Sequence, residues 1–186
     1  MAWKWSDEKE THVLAITDFP TYKKDKENDI ELIREIWKLY NEADVVVAHN
    51  GNSFDFKKIY ARFIFHKLNP PSPCMKIDTK LVAKRHFKFD SNKLDDLGEY
   101  LGLGRKLETE KGLWKKCIEG DMKAWKLMKE YNKQDVVLLE KVYLAMLPYM
   151  DNHPNLALMN GEKHGCPNCG STKIGRASCR ERVSSP

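Results

Sequence analysis

The sequence predicts an α/β fold, and three observations carry that reading. After residue 45, short apolar runs alternate with stretches of helical periodicity. Val45 to Ala48 is apolar throughout, the pattern of a strand covered on both faces. The first twenty residues read as an edge-like β-hairpin placed before that alternation.

Each element has a local reason. Ala2-Trp3-Lys4-Trp5 alternates, Ser6 to Glu10 forms a polar turn, and Thr11 to Thr17 is rich in β-branched and apolar residues. A charged loop follows around Thr21 to Glu27. Asp29 is then placed to cap a helix in which Ile30, Ile33, Ile36, Trp37 and Tyr40 recur at helical spacing. Beyond the Val45 to Ala48 strand, a second helix carries Phe56, Ile59, Tyr60, Phe63 and Ile64 on one stripe. Asn69-Pro70-Pro71-Ser72-Pro73 ends it, because proline lacks the amide donor and clashes with the preceding turn. Met75 to Thr79 reads as a short strand, and Leu94, Leu97, Tyr100 and Leu101 mark a helix closed by Gly102. Leu103 to Gly120 is charged and glycine-punctuated, which predicts a mobile loop with a short helix near Leu113 to Cys117. A last helix begins near Asp121, in one or two pieces, and its final part runs from Lys129 to Leu147 before Pro148.

Bulk properties exclude some classes. The 186 residues suffice for one domain with a core and a small appendage. The longest apolar runs, Val45 to Ala48 and Val136 to Leu139, fall far short of the roughly 18 residues that a membrane span needs. No charged-then-apolar leader opens the chain, and five cysteines without even spacing suit a reducing cytosol, so a cytoplasmic protein is expected. The net charge of +5 overstates any affinity for nucleic acid, because residues 173–186 contribute +3 of it. That stretch, with Ile174 to Val183, resembles the translation of a sequencing-library adapter and is set aside as an artefact.

Two segments carry chemistry. Tyr131 and Asp135 are four apart, so on a helix they project from one face, one turn from each other. A carboxylate on a divalent ion beside a phenol that orients a water is one use of that spacing. A core-edge tyrosine with a solvated aspartate is the other. His49-Asn50-Gly51-Asn52-Ser53-Phe54-Asp55 follows an apolar strand and opens a helix, which puts Asp55 at a strand's carboxyl end, where α/β sheets build their sites. Ser53 or Asp55 acting only as a helix cap is the plainer alternative.

Together these segments resemble the second and third signature motifs of the DEDD superfamily of 3′-to-5′ exonucleases, in the tyrosine subclass, whose fold is ribonuclease-H-like. The likeness spans roughly residues 1 to 148, includes Ile77-Asp78-Thr79 and Ser91 to Gly102, and is strongest to predicted exonucleases of phages and bacteria. It implies a mixed sheet flanked by helices over residues 1–150, acting in a bacterial or phage-infected cell. By position, Asp55 and Asp135 are the implied metal-binding carboxylates, and Tyr131 the residue that positions the attacking water. His49, Asn50, Asn52, Ser53 and Phe54 are the implied substrate contacts. The implied cofactors are two Mg²⁺ or Mn²⁺ ions, and the implied partner is a polynucleotide, DNA with a free 3′ end.

The departure from the family pattern is as informative. Its members open with a central strand bearing Asp-x-Glu, and here neither Asp7-Glu8-Lys9-Glu10 nor Asp18 has that context. The expectation is therefore an N-terminally incomplete domain lacking its first strand, inactive as it stands. The competing reading is a non-catalytic nucleic-acid-binding module. Lys84-Arg85-His86-Phe87-Lys88-Phe89, Lys57-Lys58 and Arg105-Lys106 are further candidates for contacts to nucleic acid, with exposed surface charge as the default.

Cys166-Pro167-Asn168-Cys169-Gly170 has the spacing of half a tetrahedral zinc site. Residues 151–172 are accordingly read as a linker and half a zinc ribbon, with Cys166 and Cys169 as Zn²⁺ ligands. Cys74 and Cys117 have no neighbouring base and are read as packing residues.

Overall fold

The computed structural model describes residues 1–107, 112–151, 153–159, 161 and 164–166. The opening hairpin is short: β1 (Ala2–Trp3) pairs antiparallel with β2 (His12–Val13). Where an extended Thr11 to Thr17 was expected, the chain turns into 3₁₀ segments at Ile16–Asp18 and Pro20–Lys23. Proline at the first position of the second segment suits such a start.

Helix α1 (Ile30–Glu42) follows, with Ile33, Ile36 and Tyr40 buried on its inner face. Asp29 stands at its N-cap but does not cap it, because Asn28 Oδ1 accepts the Ile30 amide at 3.1 Å. The Asp29 carboxylate is taken instead by Arg62 and His66.

Strand β3 (Val45–Ala48) pairs in parallel with β4 (Met75–Asp78), in the register Val45 to Met75 and Ala48 to Asp78. Between them lies α2 (Asp55–Phe65). Phe56 and Phe63 of α2 are buried as the stripe predicts, while Ile64 points to solvent at 79% exposure. Both faces of β3 are covered. Val46 and Ala48 meet the α1 and α2 cluster of Ile33, Ile36, Tyr40, Phe56 and Phe63, whose rings pack edge to face. Val45 and Val47 meet a second cluster built from Ile77, Ala83, Leu94, Leu97, Leu138, Val142 and Met146.

That second cluster brings together α3 (Thr79–His86), α4 (Leu94–Tyr100) and α6 (Met122–Met146). Helix α6 is one unbroken rod of 25 residues, capped by Asp121, whose side chain accepts the amides of Lys123 and Ala124. It also backs the hairpin, through the Lys4–Glu140 ion pair at 2.5 Å and a contact of Lys129 with Asp18. Helix α5 (Leu113–Glu119) lies where a short helix was expected and packs Leu113 and Cys117 on Ala124 and Met128 of α6.

The hairpin and the parallel pair form two separate two-stranded sheets, and among the described residues no strand joins them. A one-turn helix, α7 (Leu156–Met159), occupies part of the stretch read as linker. Cys166 is buried, whereas Cys169 and residues 173–186 lie outside the described residues, and with them the zinc and adapter readings.

Candidate functional site

Because β3 and β4 are parallel, both end on the same side of the sheet, and the loops leaving their carboxyl ends meet there. Asp78, the last residue of β4, organises them. Its side chain is 95% buried and accepts four backbone amides: Asn50 and Asn52 from the loop after β3, and Lys80 and Leu81 from the first turn of α3. A carboxylate so deeply buried is tolerable only with that many donors. Asn50 takes a positive φ of 65°, which turns the chain sharply enough for its amide and that of Asn52 to face one carboxylate. Gly51 lies between them, and a Cβ there would come within 2.7 Å of the Ala48 side chain.

His49 is half-buried and held at both ring nitrogens, with Nδ1 2.9 Å from Thr79 Oγ1 and Nε2 3.0 Å from the Asn92 carbonyl. Nε2–H must donate to that carbonyl, and the single Thr79 hydroxyl proton is shared between His49 Nδ1 and the Ala48 carbonyl, 3.2 Å away. Burial holds the imidazole below its ordinary pKa, which favours the neutral form, and the ring ties the loop to the start of α3 and to the segment before α4. The Asn50 side-chain oxygen accepts Lys80 Nζ at 3.3 Å. Asn52, Ser53, Phe54 and Asp55 are exposed, and Lys58 Nζ stands 4.2 Å from the centre of the Phe54 ring. Partial desolvation pushes the Asp55 carboxyl above the ordinary carboxylate value, and the charge of Asp78 acts in the same sense.

Tyr131 and Asp135 project from one face of α6, as their spacing requires. Both face Lys106, whose Nζ lies 2.7 Å from Asp135 Oδ2 and 3.3 Å from the Tyr131 hydroxyl. The other Asp135 oxygen, Oδ1, is buried and has no hydrogen-bond partner among the described residues. No hydrogen bond or ion pair among the described residues joins Asp55 to Asp135. Sequence reasoning counted Asp78 only as part of a connecting segment and Lys106 only as a possible phosphate contact. An aspartate closing a strand and followed by threonine at a helix start was the available signal for the first. Nothing local signals the second.

The oxygen donors present suit a hard cation such as Mg²⁺, and the orphaned oxygen of Asp135 is what such an ion would satisfy. The fit is to one ligand position rather than to a closed set. Among the described residues, no three His, Cys, Asp or Glu side chains converge to hold an ion. Two Asp-x-Glu tripeptides do occur, Asp25-Lys26-Glu27 and Asp29-Ile30-Glu31, but in a turn and at the start of α1. There Asp29 serves Arg62 and His66, and Glu31 accepts from Thr21.

A parallel strand pair with helices on both faces, and polar loops meeting at the strands' carboxyl ends, defines an α/β domain of the kind that carries a site at that edge. Residues 5–147 match the RNase_H superfamily, and the chain belongs to it. Membership points to a nuclease acting on nucleic acid, in a superfamily whose nucleases generally use divalent metals. The curated proteins include no match to the chain. No helix among the described residues is long and apolar enough to cross a membrane.

Proposed function

We propose that this domain is the framework of a metal-dependent 3′-to-5′ exonuclease, with Asp135 and Asp55 as cation ligands and Tyr131 as the residue that orients the attacking water. One observation carries the reading: Asp135 Oδ2 faces the same cation as the phenol of Tyr131, one turn away, while its other oxygen, Oδ1, is buried without a hydrogen-bond partner among the described residues. An ion bound there would polarise a phosphate and lower the pKa of a bound water. The chain's own contributions are positional. Asp78 fixes the loop that presents Asn52 to Asp55, neutral His49 anchors its start, and Phe54 offers an exposed ring for a terminal base. A shallow pocket beside this loop is lined by Asn52, Lys76, Asp78, Arg85, His86 and Asp151; Lys76 and Arg85 supply cationic groups for a phosphate backbone, with Asp151 3.5 Å from Arg85 as the competing anion.

Among the described residues no strand carries an Asp-x-Glu pair, and the hairpin and the parallel pair form two separate sheets. Cleavage by these residues is accordingly weak. The absence of a third converging carboxylate favours a second reading, a module that binds nucleic acid without cutting it. Single-stranded DNA and RNA labelled at the 5′ or the 3′ end, incubated with Mn²⁺, separate the two. Stepwise shortening from the 3′ end that Asp135→Asn abolishes supports the exonuclease. Retarded mobility with intact strands supports the binding module, and unchanged mobility with intact strands refutes both.

A further inference from the structure

The ammonium of Lys106 stands where an ion ligated by Asp135 would stand. It is 2.7 Å from Oδ2, 3.3 Å from the Tyr131 hydroxyl and 5.4 Å from the centre of the Tyr131 ring. Its single charge satisfies one carboxylate oxygen and leaves Oδ1 buried without a partner among the described residues. A carboxylate met on one side and dry on the other is a poor final arrangement, because an unsatisfied buried oxygen costs about 1–3 kcal/mol. A divalent ion would carry twice the charge to the same place.

The lysine is mounted so that it can leave. Its backbone amide donates to Asp95 Oδ1 at 2.7 Å, which fixes the point from which the side chain starts. Arg105 beside it pairs with Glu99 at 2.9 Å, and Gly98 packs against the Gly104 carbonyl, so the backbone of this segment is tied to α4. The four-carbon stem beyond that anchor has several rotatable bonds, and among the described residues its ammonium contacts Asp135 and Tyr131. Among the described residues, Asp78 is saturated by four amides and Asp95 Oδ1 holds the Lys106 amide.

We propose that Lys106 is a built-in occupant of the cation position at Asp135, and that a divalent ion binds there only by displacing this side chain. The inference rests on the metal-binding reading of Asp135 given above. Displacement exchanges one ammonium for one metal ion on the same carboxylate and frees the lysine for the nearest anion, a phosphate of the bound strand. Lys106 is thus a positioning residue that sets how tightly the metal is held.

Mn²⁺ binding to the 186-residue chain, followed by calorimetry and by the spin-resonance signal of free Mn²⁺, tests this without any cleavage. Lys106→Met removes the competitor and tightens Mn²⁺ binding about tenfold, the factor that corresponds to losing a competing contact of about 1.4 kcal/mol. Lys106→Gln, which keeps a polar group beside Asp135 and so guards against misfolding, tightens it in the same direction. Lys106→Arg keeps the charge and binds Mn²⁺ no better than the parent, and Asp135→Asn does not bind it. Added Mn²⁺ raises the melting midpoint of Lys106→Met more than that of the parent. Equal affinity in the parent, Lys106→Met and Lys106→Gln, lost in Asp135→Asn, overturns the displacement while leaving the metal site standing. No Mn²⁺ binding by any of these chains overturns both.

Discussion

Asp78 and Asn50 are joined across the ends of two parallel strands, the Asn50 amide donating to Asp78 Oδ1 at 2.9 Å. Asn52 donates to the other oxygen at 3.0 Å, so one carboxylate dictates the shape of the loop that carries Asp55. Removing it strands four amides in a buried place. Asp78→Ala should therefore destabilise the domain by about 3 kcal/mol, with Asp78→Asn less damaging because one amide oxygen still accepts. Denaturant unfolding of the three chains gives the comparison. A loss below about 1 kcal/mol for the alanine variant would mean that water replaces the carboxylate, and that the loop does not depend on it.

Asp29 supplies a pH-dependent contribution. Burial alone would raise its carboxyl, but hydrogen bonds from Arg62 at 2.8 and 2.5 Å and from His66 at 2.7 Å outweigh that and hold it below the ordinary value of 3.8. A carboxyl depressed by folding stabilises above its unfolded pKa, and that stabilisation is lost as pH falls through the folded value. Asp29→Asn is thus expected to cost about 1 kcal/mol at pH 7, discounted because Arg62 is partly exposed, and progressively less as pH falls below the ordinary value of 3.8. Melting curves across that range would show the parent and variant converging at acid pH. A constant gap would contradict the linkage.

Asp55 shows the opposite sign. Its carboxyl lies above the ordinary value, so the ionised form is disfavoured by folding, and the stabilisation is present only below the unfolded pKa and lost as pH rises through the folded one. At pH 7, Asp55→Asn should leave the melting midpoint unchanged or raise it on the order of 1 °C, since the side chain is largely exposed. In the exonuclease reading, the same substitution lowers any Mn²⁺-dependent cleavage about a hundredfold, a loss of about 2.7 kcal/mol in the transition state. A variant that melts several degrees lower would identify Asp55 as a helix-start residue and nothing more.

How far the sequence reached depends on whether a feature is local. The parallel strands, the buried stripes of α1 and α2, and the shared face of Tyr131 and Asp135 follow from periodicity, which is written in consecutive residues. Ile64 shares the apolar stripe of α2 yet is exposed, while its neighbour Phe63 takes the buried position against α1. Asp29 looked like a cap by position, but Arg62, more than thirty residues away, competes for it more strongly than an amide does. The continuity of α6 could not be judged from its charged middle, since the residues that hold it, Met128, Leu138 and Val142, are buried by separate partners. The roles of Asp78 and Lys106 depend on pairings 28 and 29 residues apart, which no window of local pattern contains.

Gly98 controls the segment that delivers Lys106. A Cβ at this position would lie 2.6 Å from the Gly104 carbonyl oxygen and 2.7 Å from a methyl group of Leu138, closer than such atoms approach. Alanine there would gain about 1 kcal/mol in helix propensity within α4, but this gain competes with overpacking of about 1–3 kcal/mol against a backbone carbonyl that cannot rotate away. Gly104 itself has a φ of 119°, so the turn it makes is not one that other residues readily share or adjust. The net expectation for Gly98→Ala is a loss of about 1 kcal/mol in denaturant unfolding, with α4 pushed from α6 or the Gly104 turn displaced. Because the displaced turn carries Lys106, the variant should also loosen the pair with Asp135, which hydrogen exchange at the Lys106 amide reports as faster opening. Parental stability together with parental exchange would show that α4 and this turn have more room than the close contacts imply.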